Sequence, residues 1–154
     1  MNKAKKNNKG FSLVELIVVV LIMAIIAVSL APQVMKWVNN SRIATDVSTY
    51  DSLVANCQLA LTDSAAYSEV TTAAAATVYT IKFDDDGLTI NDKAITDASV
   101  KDTAFVKAMN ALDASWGSLE AKVTFGDAEA PYDIQITKSG TVVRGKAPDG
   151  STVK

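Results

Sequence analysis

Residues 11–31 (FSLVELIVVVLIMAIIAVSLA) are apolar except for Ser12, Glu15 and Ser29, and four lysines with no acid among them precede this stretch. As a helix these 21 residues rise about 31 Å, close to the thickness of one hydrocarbon core. The uninterrupted part, 16–28, holds 13 residues, a length that suits a signal-peptide core as well as a membrane span. Charge sets orientation more firmly than length. Lys3, Lys5, Lys6 and Lys9 keep the N-terminal flank cytoplasmic under the positive-inside rule, so everything after Pro32 is expected to face outward.

The remaining composition narrows the chemistry. The chain of 154 residues has no His and a single Cys, Cys57. Ser-His-Asp triads, Cys-His pairs, His acid/base catalysis and the usual zinc sets therefore lack their parts. No enzymatic activity, cofactor or metal is expected. Net charge is −2 over the whole chain, but after the leader lysines eleven basic residues face 17 acids, so the body is acidic.

Glu15 is what an ordinary signal or anchor does not explain. A carboxylate in an apolar span costs on the order of a few kcal/mol near the centre and less near an end, so it calls for a cation or a proton. No Lys or Arg lies between Gly10 and Lys36. Within this segment a nearby cation arises only if the chain is cut and an α-amine created; a cut between Gly10 and Phe11 places one four residues from Glu15. Glycine before the cut leaves no side chain to obstruct a protease at the membrane surface.

The string Lys9-Gly10-Phe11-Ser12-Leu13-Val14-Glu15-Leu16, with its basic leader ending in Gly, then Phe, then Glu as the fifth residue of an apolar stretch, resembles the type IV prepilin family. Pro32, the twenty-second residue after the cut, matches that family's pattern too. The resemblance covers about the first 45 residues and beyond them is architectural only. It implies that a membrane prepilin peptidase/methyltransferase cleaves after Gly10 and methylates Phe11, and that the mature subunit waits in membrane lipid. Pilus assembly machinery in the cytoplasmic membrane then draws it into a filament of identical or related subunits. Glu15 would pair with the Phe11 amine of a neighbour and set the axial register. Pro32 lacks an amide for the Val28 carbonyl, so a kink or local melting is expected there. Two plainer readings stand beside this one: an uncleaved anchor, or a secretory signal cut after Ala31. Pro32 directly after that site speaks against the second, and Glu15 against both.

Downstream, Ile43, Val47, Tyr50, Val54, Cys57 and Leu61 recur at spacings of four and three, with Arg42, Asp46, Thr49, Ser52, Asn56 and Asp63 off the stripe. An amphipathic helix follows the span. Residues 63–77 read as a loop with a short helix at 73–76. Alternation predicts a strand over 78–83, turned by Asp84-Asp85-Asp86-Gly87 into a second strand over 88–90. A helix is expected over 97–112, started by Asp97 or Ser99 and burying Phe105, Met109 and Leu112. Antiparallel strands follow over 120–125 and 132–137, then a turn at Ser139-Gly140 and a short strand over 141–144. The fold class is α+β: a long N-terminal helix, half span and half amphipathic, packed on a C-terminal antiparallel sheet. Three parts are expected: a basic leader (1–10), a transmembrane and assembly helix (11–38), and an exported head (39–154) that includes the amphipathic half of the helix.

Other constellations are weaker. Cys57 lies on the apolar stripe and reads as a small buried hydrophobe. It has no intramolecular partner for a disulfide, which departs from the two-cysteine C-terminal loop of many Gram-negative pilins. Asp84, Asp85, Asp86 and Asp92 do not match an EF-hand spacing and read as a solvated turn. Lys138, Arg144, Lys146 and Lys154 gather toward the C-terminus, but the head has no basic run, and nucleic acid is not an expected partner. The expected function is that of a type IV pilin-like subunit, membrane-bound before assembly and part of a surface filament afterwards, serving adhesion, motility or related tasks. The alternatives are a DNA-uptake competence pilin, a secretion-system pseudopilin, or an unprocessed anchored protein.

Overall fold

A computed structural model describes residues 11–122 and 130–148. The chain divides into two units, Met1–Val38 and Asn39–Lys154. Helix α1, Leu13–Ala60, runs through Pro32 without a break. Its first half is rich in β-branched Val and Ile, which are mediocre helix formers in water. In lipid a helix satisfies every backbone group within its own segment, and that requirement overrides propensity. Every side chain from 13 to 38 is exposed in the isolated chain. From 16 to 31 that surface is apolar but for Ser29, which is what a membrane span presents.

The α1 segment within the second unit has a different face. Tyr50, Leu53, Val54, Cys57 and Ala60 are buried, which realises the stripe read from the sequence and widens it. Asp46 departs from expectation: placed off the stripe, it is only 1% exposed. Both of its carboxylate oxygens accept the Lys122 backbone N–H at 2.8 Å, and Oδ2 accepts the Tyr132 phenol at 3.3 Å. Those donors, 76 and 86 residues away, replace the water the carboxylate loses.

Helix α2, Ser64–Thr72, is capped by Asp63, which accepts from the Ala65 and Ala66 amides at 2.9 and 3.0 Å. The helix therefore lies ahead of the alanine run, and in place of the expected helix Ala73 caps α2 and residues 74–76 are bends. An N-cap and the buried pair Ala66 and Val70 outweigh alanine's intrinsic preference.

The sheet comprises β1 (Thr77–Asp84), β2 (Gly87–Ile90), β3 (Lys93–Ala94), β4 (Tyr132–Thr137) and β5 (Val142–Arg144), in the order β3-β2-β1-β4-β5 with all pairs antiparallel. Ile81 stands opposite Ile90 on one side and Ile134 on the other, and Phe83 opposite Leu88 and Tyr132. These rows form the inner face against α1, where the Tyr50 and Tyr132 rings meet edge-on at 6.5 Å and the Tyr50 hydroxyl donates to the Asp133 carbonyl at 2.9 Å. Full burial of each such side chain contributes about 1.5–3 kcal/mol. The acidic turn joins β1 to β2 as read. A second tight turn, Asn91-Asp92 between β2 and β3, has both residues at positive φ (51° and 62°), the pairing a two-residue hairpin favours. The Asn91 side chain also bonds to β1, accepting from the Thr80 amide at 2.8 Å and donating to the Val78 carbonyl at 3.0 Å.

Two further expectations change. The helix read over 97–112 is two helices, α3 (Ala98–Lys101) capped by Asp97 and α4 (Ala104–Leu112) capped by Thr103. The Thr103 side chain takes the Val106 amide at 3.3 Å, and the restart turns Phe105, Val106 and Met109 inward while Leu112 stays 45% exposed. The second half of the strand expected over 120–125 lies outside the described residues. Its first members form no strand, and Ala121 donates to the Asp84 carbonyl at 2.8 Å. Both edges of β4 are taken by β1 and β5. The whole is α+β, a long N-terminal apolar helix with a C-terminal antiparallel five-stranded sheet, the pilin-like architecture the sequence predicts.

Candidate functional site

The N-terminal residues gather at the first turn of α1. Phe11 is 89% exposed, and Ser12 stands just before the helix with Glu15 in its first turn. The Ser12 amide donates to Glu15 Oε2 at 3.0 Å. This is the backbone half of an S-x-x-E capping arrangement: a helix start leaves amides without partners, and the carboxylate accepts one while lying at the positive end of the helix dipole. Glu15 therefore has a use within its own chain that the sequence reading did not identify, although Ser12 three residues earlier is the signal for it. Gly10, the expected cleavage residue, lies outside the described residues. Pro32 lies inside α1, nearly five turns beyond Glu15 by sequence, so those two site residues are not brought together. Among the described residues, α1 is the one helix long and apolar enough to cross a membrane.

The head supplies interactions of other kinds. Cys57 is fully buried, and burial pushes its thiol up to about 12, so it is held as an uncharged apolar group. Asp84 accepts the Asp86 amide at 3.1 Å, and Asp92 pairs with Lys82. Among the described residues no three His, Cys, Asp or Glu side chains gather to hold a metal ion. Of the four C-terminal basic residues, Arg144 pairs with Asp51 at 2.7 Å and lies over the Tyr50 ring at 5.8 Å, while Lys154 lies outside the described residues.

Two carboxylates that tie the head together went unread. Besides Asp46, Glu69 of α2 accepts the Tyr79 phenol and the Ala104 amide, the latter at 2.6 Å. It thereby joins α2 to β1 and to the start of α4. Burial, reinforced by Glu69, pushes the Tyr79 phenol up, and burial with Asp46 does the same to Tyr132.

A long apolar helix exposed on every side over its first half, with an acid in its first turn and an α+β head after it, is long and apolar enough to cross a membrane. The comparison with protein families specifies it further: the prokaryotic N-terminal methylation motif matches residues 5–31, so the chain carries the type IV prepilin-type cleavage and methylation signal. The motif supports a precursor of the type IV pilin or pseudopilin kind, implies processing by prepilin peptidase, and with the apolar helix fits membrane anchoring. No curated protein and no solved structure matches the chain.

Proposed function

We propose that the chain is a type IV pilin-like structural subunit whose mechanism is assembly and not catalysis. Cleavage after Gly10 frees the Phe11 amine, methylation follows, and the mature subunit is stored in the cytoplasmic membrane with its head outside. Polymerisation then replaces lipid around the apolar part of α1 with the same helices of neighbouring subunits, in a surface filament. The observation that carries this reading is the coincidence of the matched motif with a helix that is exposed on every side from 13 to 38 and, from 16 to 31, apolar but for Ser29. A helix of that kind requires either lipid or copies of itself as its surroundings.

Glu15 acts in both settings. In the single chain it holds the Ser12 amide; in the filament it meets the methylated amine of a neighbouring Phe11, and the low dielectric between packed helices strengthens that pair while penalising any register that leaves the acid alone. Pro32 gives the helix a place to bend or extend, because the Val28 carbonyl has no amide to accept there. N-terminal mass spectrometry of membrane and sheared surface fractions tests the proposal. A chain beginning at methylated Phe11 in the sheared fraction is the expected result; one beginning at Met1 or Pro32 refutes it. Replacing Gly10 by Trp is expected to leave only unprocessed precursor, and normal maturation of that variant would show that the cut lies elsewhere.

A further inference from the structure

The exposed half of α1 changes character at Pro32. Before it, from residue 16, the only polar side chain is Ser29, whose hydroxyl donates to the Ile26 carbonyl at 2.9 Å and so makes no demand on the surroundings. After it two faces separate. Gln33, Lys36 and Trp37, at i, i+3 and i+4, share one side, and Val34, Met35 and Val38 share the other. All six side chains are exposed, and Trp37 is 67% exposed.

The charges fix a length. Glu15 and Lys36 enclose twenty uncharged residues, and twenty helical residues span about 30 Å, which is the hydrocarbon thickness. With Glu15 at one boundary, Lys36 falls at the other and Trp37 falls in the headgroup layer. Both residue types suit that level. An indole has an apolar body with one N–H, and a lysine keeps its stem in the apolar layer while its ammonium reaches lipid phosphate.

We propose that the face made by Gln33, Lys36 and Trp37 seats the phospholipid headgroups of the outer leaflet and so sets the depth at which the stored subunit waits. Lys36 contacts phosphate, Trp37 lies at the level of the ester groups, and Val34 and Met35 turn to the acyl chains. The lipid-covered segment is thus 16–35 and not 11–31, so Glu15 lies at the inner boundary, where water and headgroups solvate it. The cost of enclosing its charge is then met at assembly. This rests on the membrane-stored subunit proposed above.

Depth-dependent quenching tests it, using the full chain in vesicles of phosphatidylcholine and phosphatidylglycerol that carry a nitroxide at the headgroup, at the top of the acyl chain or near its end. The chain has two tryptophans, and Trp116 is fully buried in the head, so it contributes an unquenched background. Quenching is expected to be at least about twofold stronger from the two shallow nitroxides than from the deep one, and to vanish in Trp37→Phe. Lys36→Glu is expected to leave the chain inserted but to shift Trp37 toward water in the anionic vesicles. Strongest quenching from the deep nitroxide, or none from any in an inserted chain, overturns the proposed depth; an unchanged profile in Lys36→Glu overturns the phosphate contact. A chain that stays out of the vesicles altogether overturns the membrane-stored reading itself, an outcome sedimentation separates from the others.

Discussion

Two of the carboxylates on α1, Glu15 and Asp46, meet opposite surroundings. Glu15 stands in the exposed first turn of α1 and accepts a single amide from Ser12. Asp46 is sealed in the head and accepts a backbone amide with both oxygens as well as a phenol. The difference extends to the helix on either side: from 13 to 38 every side chain is exposed among the described residues, whereas from Asp46 to Ala60 a stripe is buried under the sheet. Secondary structure is the same in both halves, but one is completed by what lies outside the chain and the other by residues far along it. Glu15 is accordingly expected to matter for assembly and Asp46 for folding.

The largest effect that separates them is expected at Glu15. Glu15→Ala removes the group proposed to meet a neighbour's amine, so filament incorporation is expected to fall about tenfold or more, the equivalent of at least about 1.4 kcal/mol of lost pairing per subunit. Head stability should stay within about 0.5 kcal/mol of the parent, and the chain should still be cleaved and held in the membrane. Quantifying subunit in sheared and membrane fractions measures this. Assembly at the parental level would show that register is set by packing of the apolar helix alone.

Asp46→Ala is the converse. It removes the acceptor shared by the Lys122 amide and the Tyr132 hydroxyl, and the expected loss is about 2–3 kcal/mol of head stability, read as a lower denaturation midpoint of the full chain in detergent. Membrane retention should not change. Asp46→Asn keeps one acceptor and should recover part of the loss. A variant as stable as the parent would mean that water reaches those donors, and the contrast with Glu15 would lose its basis.

How far each half was legible follows from the same division. What α1 does before Val38 depends on neighbours in sequence, so the apolar stretch and the placement of Glu15 after a lysine-glycine leader could be read directly. The alternating strands β1 and β4 were legible for the same reason, since a period of two is local. Asp46 was not: four residues from Tyr50, it sits beside the stripe, and donors from far along the chain, Lys122 and Tyr132 among them, decide that it turns inward. The break before α4 also escaped, although Thr103 was present as a capping residue, because apolar spacing over 97–112 continues across it. Asn91-Asp92 lacks the glycine that marks most such turns, and its left-handed backbone is supported by side-chain bonds to β1 that sequence spacing does not show.

Cys57 offers a pH test of the docked half. Burial raises its thiol from 9.0 to about 12, so above 9.0 the unfolded chain releases a proton that the folded head retains. The unfolded state then binds fewer protons, and stability falls as pH rises from 9.0 toward 12, by at most about 1.4 kcal/mol per pH unit for this one group. Tyr79 and Tyr132, also raised, act in the same direction at the upper end. In Cys57→Ala the fall should begin later, near the ordinary tyrosine range, at a cost of a small cavity that does not depend on pH. Denaturation midpoints across the alkaline range measure both slopes, and identical slopes would show that water reaches the thiol.

The smallest expected effect lies at the surface of the docked half, where Arg144 of β5 pairs with Asp51 of α1 at 2.7 Å and lies over Tyr50 at 5.8 Å. Both partners of the pair are close to half exposed, so solvent screens most of the Coulomb attraction, and a pair of this kind contributes about 0.2–1 kcal/mol. The ring contact adds a similar amount at an exposed site. Arg144→Ala is therefore expected to lower head stability by about 1 kcal/mol, and the difference from the parent should shrink in about 1 M salt, where the Debye length is short. Because the planar guanidinium serves ring and carboxylate together, Arg144→Lys should keep the pair and lose the stacking. A double-mutant cycle with Asp51→Ala isolates the charge coupling. A coupling above about 2 kcal/mol, insensitive to salt, would place this pair with Asp46 among the sealed charges. Burial within the head would then no longer be what separates the carboxylate that folds the subunit from the one proposed to assemble it.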